Sequence, residues 1–331
     1  MSQTVAVLGA GSWGTALSIH LARVGHDVRL WGRDGRLVEE MSKRRANAVY
    51  LADVNFPDAL TPTASLEAAL DGAGMVVLAV PSHGLRHVLE AASSTLSQDA
   101  LVVSATKGLE EQTLLRMSQV VERTVPHVHE IAVVSGPSFA AELARELPTA
   151  VVVASTTNGA VEHVQREFRS GALRLYGSAD VVGVEIGGAL KNIIAIAAGV
   201  GEGLGLGHNA LAALITRGLA EIARLAVALG AHRETLAGLA GLGDLVLTCT
   251  GELSRNRHVG MELAHGRTVT DIVAGTRMVA EGVRTTRAAI ELARQHGVEL
   301  PIATQMGEVL GGRRDPRTAV DELMGRRQKQ E

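Results

Sequence analysis

The stretch VAVLGAGSWGTAL, residues 5–17, decides the fold. The apolar run at residues 5–8 leads directly into GAGSWG at residues 9–14, which opens a segment with helical periodicity. A GxGxxG pattern indicates a dinucleotide site when it stands in such a strand–turn–helix context. Gly9 permits the tight turn, Gly11 lets backbone approach a pyrophosphate, and Gly14 lets helix pack on strand. The alternative is a glycine-rich turn without a ligand.

The segments that follow alternate between strand and helix as far as residue 180. Short apolar runs lie at residues 28–31, 75–80, 101–104, 131–135 and 150–154, with helical patterns between them. Such alternation predicts an α/β class, with a Rossmann-like, doubly wound, mainly parallel sheet. After residue 180 we expect only helices, at 181–200, 211–229, 259–265, 287–296 and 305–310. Two domains follow, residues 1–180 for NAD(P) and an all-helical substrate and catalytic domain at 181–331.

Composition excludes several classes of protein. The 32 basic and 35 acidic residues give a formal net charge of −3, which argues against general attraction to nucleic acid. Cys249 is the single cysteine, so an internal disulfide is excluded, no metal site is expected, and a reducing cytoplasm fits. Charged residues interrupt the long apolar stretches, so we expect no membrane-spanning helix and no targeting segment.

Lysine usage singles out one position. Only four of the 32 basic residues are lysines, namely Lys43, Lys107, Lys191 and Lys329. Lys191 lies in the apolar run GGALKNIIAIAAG, residues 187–199, and its stem should lean over Gly187 and Gly188, which leaves an open groove for a small ligand. Burial disfavours the charged form of an amine, so a buried lysine releases its proton more readily. A group that exchanges a proton with a substrate needs this property. The alternative is a packing of small residues, with Lys191 reaching towards solvent.

Polar residues at the predicted strand ends indicate where ligands bind, because open α/β sheets bind ligands at the carboxyl ends of their strands. Arg33 follows the second strand and suits a 2′-phosphate, whereas Asp34 suits a free ribose hydroxyl. We therefore expect NADP to be preferred and NAD to be possible, unless Arg33 is only a solvated turn residue. Lys107 follows the strand at 101–104, where it can hold a phosphate or polarise a carbonyl group.

Two further clusters lie in the helical half. Asp244 is the one carboxylate in LAGLGDLVLTCT, residues 239–250, and a buried carboxylate needs a cation such as Lys191. The alternative for Asp244 is a helix cap. The tetrapeptide SRNR at 254–257 precedes a helical pattern and can hold an oxyanion or a phosphate. EGVR at 281–284 is expected to be a polar turn.

Several of these strings are long and unusual, and together the chain resembles the NAD(P)-dependent glycerol-3-phosphate dehydrogenases, most of all the bacterial biosynthetic type. The matching segments are GAGSWGTAL (9–17), ATKGLE (105–110), SGPSFAAE (135–142), the strings at 187–199 and 239–250, SRNR, and EGVRT (281–285). The resemblance implies reduction of dihydroxyacetone phosphate to sn-glycerol 3-phosphate for phospholipid synthesis, in a cytoplasmic homodimer. The alternative is a related two-domain dehydrogenase of β-hydroxy acids or phosphogluconate, which shares the fingerprint and the helical second domain. A non-catalytic NADP-binding regulator would explain the fingerprint but not Lys191.

The resemblance also implies roles for individual residues, with Lys191 as the proton acceptor in the oxidation direction. Cofactor contacts are implied for Gly9, Gly11, Ser12, Trp13, Gly14, Arg33, Lys107, Ala140, Arg255, Val279 and Glu281. Substrate contacts are implied for Lys107, Gly136, Ser138, Lys191, Asn192, Asp244, Ser254, Arg255 and Asn256.

Overall fold

The structure is a computed structural model that describes residues 2–274 and 280–327. The chain divides into two compact units. The first consists of the residues up to Lys107 together with Leu115–Glu185, and the second of Gly108–Leu114 together with the residues from Ile186 onward.

An eight-stranded sheet organises the first unit. The strands that the structure describes in this unit are β1 (Thr4–Leu8), β2 (Asp27–Trp31), β3 (Ala46–Asn47), β4 (Leu51–Asn55), β5 (Leu60–Thr63), β6 (Met75–Leu78), β7 (Leu101–Ser104), β8 (Glu130–Ser135), β9 (Thr149–Ala154) and β10 (Leu173–Ser178). The large sheet has the order β10-β9-β8-β7-β6-β1-β2-β5, while β3 and β4 form a separate antiparallel pair. All its pairings are parallel except β8 with β9. The predicted mainly parallel sheet is therefore confirmed.

Helices accompany this sheet, and apolar side chains from its two faces form two separate core clusters. The helices of this part of the chain are α1 (Ser12–Arg23), α2 (Gly35–Arg44), α3 (Leu66–Leu70), α4 (Leu85–Ala92), α5 (Met117–Thr124), α6 (Ala140–Ala144) and α7 (Ala160–Phe168). The β1 strand is completely buried from Val5 to Val7, as expected for a strand covered on both faces.

From residue 181 onward the described chain is helical. The helices are α8 (Val181–Gly203), α9 (Gly207–Ala228), α10 (Arg233–Ala237), α11 (Asp244–Thr250), α12 (Arg255–Ala264), α13 (Val269–Ala274), α14 (Glu281–Gln295), α15 (Pro301–Leu310) and α16 (Pro316–Met324). A π-helical turn at Leu239–Gly243 precedes α11. The expected absence of strands in this half holds for the residues that the structure describes. EGVR was wrongly predicted as a turn, because it forms the start of α14.

Glycines let α8 and α12 approach closely. A methyl group on Gly199 would overlap the carbonyl oxygen of Arg257, and one on Gly260 would overlap that of Ile196. The two backbones are therefore in direct contact at this crossing. By length and hydropathy α8 could cross a membrane, although the sequence predicted no helix of this kind. However, 89% of its most apolar 18-residue stretch is buried, as in the core helix of a soluble protein.

Candidate active site

The nucleotide loop, residues 9–14, has the geometry that the fingerprint requires. Gly9 has a φ of +121°, and a Cβ there would lie 2.6 Å from the Ala79 carbonyl oxygen, so only glycine fits. A Cβ on Gly14 would overlap the Gly9 carbonyl oxygen. Around Gly11, in contrast, a Cβ would meet nothing within 4 Å, which leaves space for a ligand beside the backbone.

The start of α1 fits an anionic ligand. Gly11 is the N-cap, and within the described part of the chain no side chain caps the first turn. Ser12 and Trp13 are half-buried in this turn, and the buried Trp13 indole nitrogen has no hydrogen-bond partner among the described residues. Backbone N–H groups at the start of a 12-residue helix bind phosphate well. The residues present therefore fit a dinucleotide.

The tip of β2 separates the two candidate ribose contacts. Asp34 caps α2, because its Oδ1 accepts hydrogen bonds from the backbone N–H groups of Arg36 and Leu37 at 3.0 and 3.3 Å. Arg33 is exposed. Arg33 is therefore exposed to solvent at the end of the strand, whereas one oxygen of the neighbouring Asp34 carboxylate caps the helix.

Lys107, Gly136 and Ser138 meet beyond the ends of β7 and β8. The Lys107 Nζ donates to the Gly136 carbonyl oxygen at 3.1 Å, and the Ser138 hydroxyl donates to the same oxygen at 2.9 Å. Gly136 has a φ of +138°, and a Cβ there would lie 3.0 Å from Val151 Cα. Ala140 is half-buried at the start of α6.

The second unit contains a buried lysine centre, which consists of Lys191, Asp244 and Thr248. Lys191 Nζ lies 2.5 Å from Asp244 Oδ1 and donates to Thr248 Oγ1 at 2.8 Å. Lys191 is 8% exposed and Asp244 is 1% exposed. Burial by itself disfavours the ammonium form of Lys191. The carboxylate adds an opposing influence, since it stabilises the ammonium form.

Two details of the lysine centre differ from the sequence interpretation. Gly187 does not open a groove, because a Cβ there would lie 2.6 Å from the Ala240 carbonyl oxygen, so this glycine serves close packing. Thr248 was missed; it lies four residues after Asp244 in α11, and that i, i+4 spacing was the available signal. Burial raises the pKa of the neighbouring Cys249 thiol to about 12, which keeps it protonated.

A network of amides lies where α8, α12 and α14 meet. Asn256 Nδ2 donates to Asn192 Oδ1 at 2.9 Å, and Asn256 Oδ1 accepts from the Gly282 N–H at 3.0 Å. Ser254 caps α12 by accepting from the Arg257 N–H at 3.3 Å. Arg255 is exposed in the first turn of α12, and Glu281 is half-buried at the start of α14. Val279 lies outside the described residues.

Comparison with known proteins assigns both halves of the chain to one enzyme family. Residues 4–161 match the N-terminal family model of NAD-dependent glycerol-3-phosphate dehydrogenase, and residues 180–321 match the C-terminal one. A protein of Koribacter versatilis named glycerol-3-phosphate dehydrogenase [NAD(P)+] is 54% identical, over 97% of both chains. A Geobacter sulfurreducens protein of the same name is 52% identical, over 98% of both chains.

The chain belongs to the NAD-dependent glycerol-3-phosphate dehydrogenase family. The crystal structure of glycerol-3-phosphate dehydrogenase from Coxiella burnetii matches 98% of this chain and 99% of its own, with a TM-score of 0.95 and 41% identity. The predicted family and fold class are thereby confirmed. A ketopantoate reductase from Ralstonia eutropha, at 17% identity and a TM-score of 0.61, shares only the fold.

Proposed function

We propose that this protein reduces dihydroxyacetone phosphate to sn-glycerol 3-phosphate with NADPH as the preferred hydride donor. The observation that carries the proposal is the buried lysine centre. An ammonium group held by Asp244 and Thr248 is a positioned proton donor, and a ketone that accepts hydride needs a proton on its oxygen.

Each side chain of the lysine centre has a chemical task. The bound nicotinamide supplies the hydride, which is chemistry that the protein side chains lack. Lys191 donates a proton to the developing alkoxide, and in the oxidation direction it accepts the proton back. Asp244 stabilises the ammonium form before transfer, and the Thr248 hydroxyl fixes the direction of the amine by accepting from it at 2.8 Å.

The start of α12 offers contacts for the substrate phosphate. Arg255 brings a charged guanidinium to the N-terminus of a ten-residue helix, where the dipole also favours an anion. Ser254 and Asn256 bring a hydroxyl and an amide to the first turn of α12, and Asn192 brings a second amide from the middle of α8. This set suits a small phosphate ester better than a hydroxy acid without phosphate.

The cofactor contacts follow from the first unit. The nucleotide loop with Ser12 and Trp13 binds the pyrophosphate, and Arg33 binds the 2′-phosphate that distinguishes NADP from NAD. Lys107, with Gly136 and Ser138, contributes to both cofactor and substrate, while Ala140, Arg255, Val279 and Glu281 complete the cofactor contacts.

The proposal extends to the setting of the reaction. We propose that residues 1–180 act as the NAD(P) domain and residues 181–331 as the substrate domain, in a cytoplasmic homodimer that supplies glycerol 3-phosphate for phospholipid synthesis. Light scattering on the purified protein measures the assembly directly, and a monomer at all concentrations would contradict the homodimer.

An NADPH oxidation assay tests the activity. We expect absorbance at the NADPH band to fall when NADPH is mixed with dihydroxyacetone phosphate. It should stay constant when NADP is mixed with β-hydroxy acids or with phosphogluconate, and when NADPH is incubated without substrate. Turnover of a hydroxy acid or phosphogluconate alone would favour the related dehydrogenase. Binding of NADPH without any turnover would favour a regulator.

A further inference from the structure

Asn47 contacts the nucleotide loop from a distant part of the chain. It lies in β3, and its side chain is 0% exposed. Its amide nitrogen donates to the Ala10 carbonyl oxygen at 3.0 Å and to Thr15 Oγ1 at 2.8 Å. Its amide oxygen accepts from the Tyr50 N–H at 3.2 Å. Both ends of this buried amide are therefore engaged.

The contact with Ala10 fixes a peptide plane. A peptide group is planar and trans, so the Ala10 carbonyl and the Gly11 N–H point in opposite directions. When Asn47 holds the carbonyl on one side of the loop, the Gly11 N–H is turned to the other side. Glycine tolerates a wide range of φ, so Gly11 itself offers little resistance to a flip of this peptide. The loop thus needs an external group to fix it.

The contact with Thr15 joins the same amide to α1. The Thr15 N–H donates to the Gly11 carbonyl oxygen at 2.9 Å, in the first turn of the helix. Asn47 thereby connects the loop peptide and the helix start through one planar group. A flipped Ala10–Gly11 peptide would direct a carbonyl oxygen, instead of an N–H donor, towards a bound phosphate.

We infer that Asn47 is a positioning residue that locks the Ala10–Gly11 peptide in the orientation that binds the cofactor pyrophosphate. The inference rests on the proposed use of NADPH. It also requires an amide, because only an amide donates to two acceptors and accepts from Tyr50 at once. A carboxylate would face the Ala10 carbonyl with a negative charge and no donor.

Ligand affinity tests the inference without turnover. Dissociation constants are measured by titration for the wild-type protein, Asn47→Asp and Asn47→Leu. We expect the dissociation constants for NADPH and for ADP-ribose to rise about tenfold or more, because a flipped peptide loses the charge-assisted hydrogen bond from the Gly11 N–H to the pyrophosphate. Adenosine 2′-monophosphate has no pyrophosphate, so its constant should change by less than about twofold.

Ser18→Ala is the matched control. Ser18 lies in α1, the helix of Thr15, and is 0% exposed. Its hydroxyl donates to the Gly14 carbonyl oxygen at 2.8 Å and does not contact Ala10. Loss of this hydroxyl should lower the melting temperature of the protein and leave its affinity for NADPH intact. The inference would be overturned if the Asn47 variants kept wild-type affinity for NADPH, or if they lost affinity equally for all three ligands.

A second pair of variants covers the case in which the Asn47 variants do not fold. Thr15→Val removes one acceptor of the amide, whereas Thr15→Ser keeps it. Weaker NADPH binding in Thr15→Val than in Thr15→Ser supports the inference, and equal binding contradicts it. If the wild-type protein itself does not bind NADPH, the proposed function fails, and that outcome is distinct from a failure confined to the variants.

Discussion

Lys191 and Asp244 form an ion pair of 2.5 Å in which both side chains are at least nine-tenths buried. Taking two charges out of water costs several kcal/mol per ion, and a pair of apolar side chains would avoid that cost. Thr248 adds a third polar group at the same place. An arrangement that is costly for stability and suited to proton transfer indicates selection for chemistry.

Removal of the carboxylate should therefore affect both activity and stability. In Asp244→Asn, Lys191 loses its charge partner, so we expect kcat to fall about 100-fold or more and the free energy of unfolding to fall by about 3 kcal/mol. Steady-state kinetics and urea unfolding measure the two effects. A double variant, Lys191→Met with Asp244→Leu, should regain stability but remain inactive; activity in the double variant would contradict the assignment.

Replacement of Lys191 itself separates binding from chemistry. Lys191→Ala removes the proposed proton donor, and Lys191→Arg keeps the charge in a group that does not release its proton. Both variants should lose measurable turnover while their dissociation constants for NADPH stay within about twofold of the wild type. Near-normal turnover in either variant would reject the catalytic role.

Arg33 should control the choice of cofactor. In Arg33→Ala, the ratio of kcat/KM with NADPH to that with NADH should fall about tenfold or more, because the proposed partner of the 2′-phosphate is lost. Asp34→Ala serves as the control. It removes the cap of α2 at a cost of about 1 kcal/mol but should leave the cofactor ratio unchanged. An unchanged ratio in Arg33→Ala would show that Arg33 does not contact the 2′-phosphate.

Gly136→Ala should disturb the site of Lys107. The new methyl group would press against Val151 in a backbone conformation that favours glycine, so we expect a loss of about 1–3 kcal/mol in stability and a rise in KM for dihydroxyacetone phosphate. Gly159→Ala is the matched control, because Gly159 also has a positive φ of +84° but has open space around it. It should lose stability without a change in KM.

Glu221 should make stability depend on pH. Burial raises the pKa of this carboxyl group to about 7, although the backbone N–H groups of Ile302 and Ala303 donate to it. Since the folded state binds the proton more tightly than the unfolded state, stability should decrease as pH rises from 4.5 to about 7 and then level off. The slope should not exceed about 1.4 kcal/mol per pH unit.

Urea unfolding at several pH values checks this prediction. The two N–H groups donate to different oxygens of the carboxyl group, so Glu221→Gln keeps an acceptor for one of them and cannot ionise. Its stability should not fall over this interval as that of the wild type does. Curves for the two proteins that run parallel from pH 4.5 to 8 would show that Glu221 does not control the slope.

The sequence predicted those elements whose signal is local. The strands at β1, β2, β6, β7, β8 and β9 are continuous apolar runs, and they were found. The edge strand β5 contains Pro62, which is atypical of strand interiors, and α2 buries only Val38 and Met41, so both were missed. Contacts between distant residues have no local signal, which is why Asn47 was also missed. The pairing of Lys191 with Asp244 was predicted because burial of a carboxylate demands a cation.

The crossing of α8 and α12 holds Asn192 and Asn256 together. Gly199 and Gly260 bring the helix that carries Asn192 against the helix that carries Asn256, with no room for a methyl group at either position. A side chain larger than glycine at either position would force these two helices apart and separate the two amides. Their spacing is therefore a property of the backbones, which substitution of polar side chains alone leaves as it is.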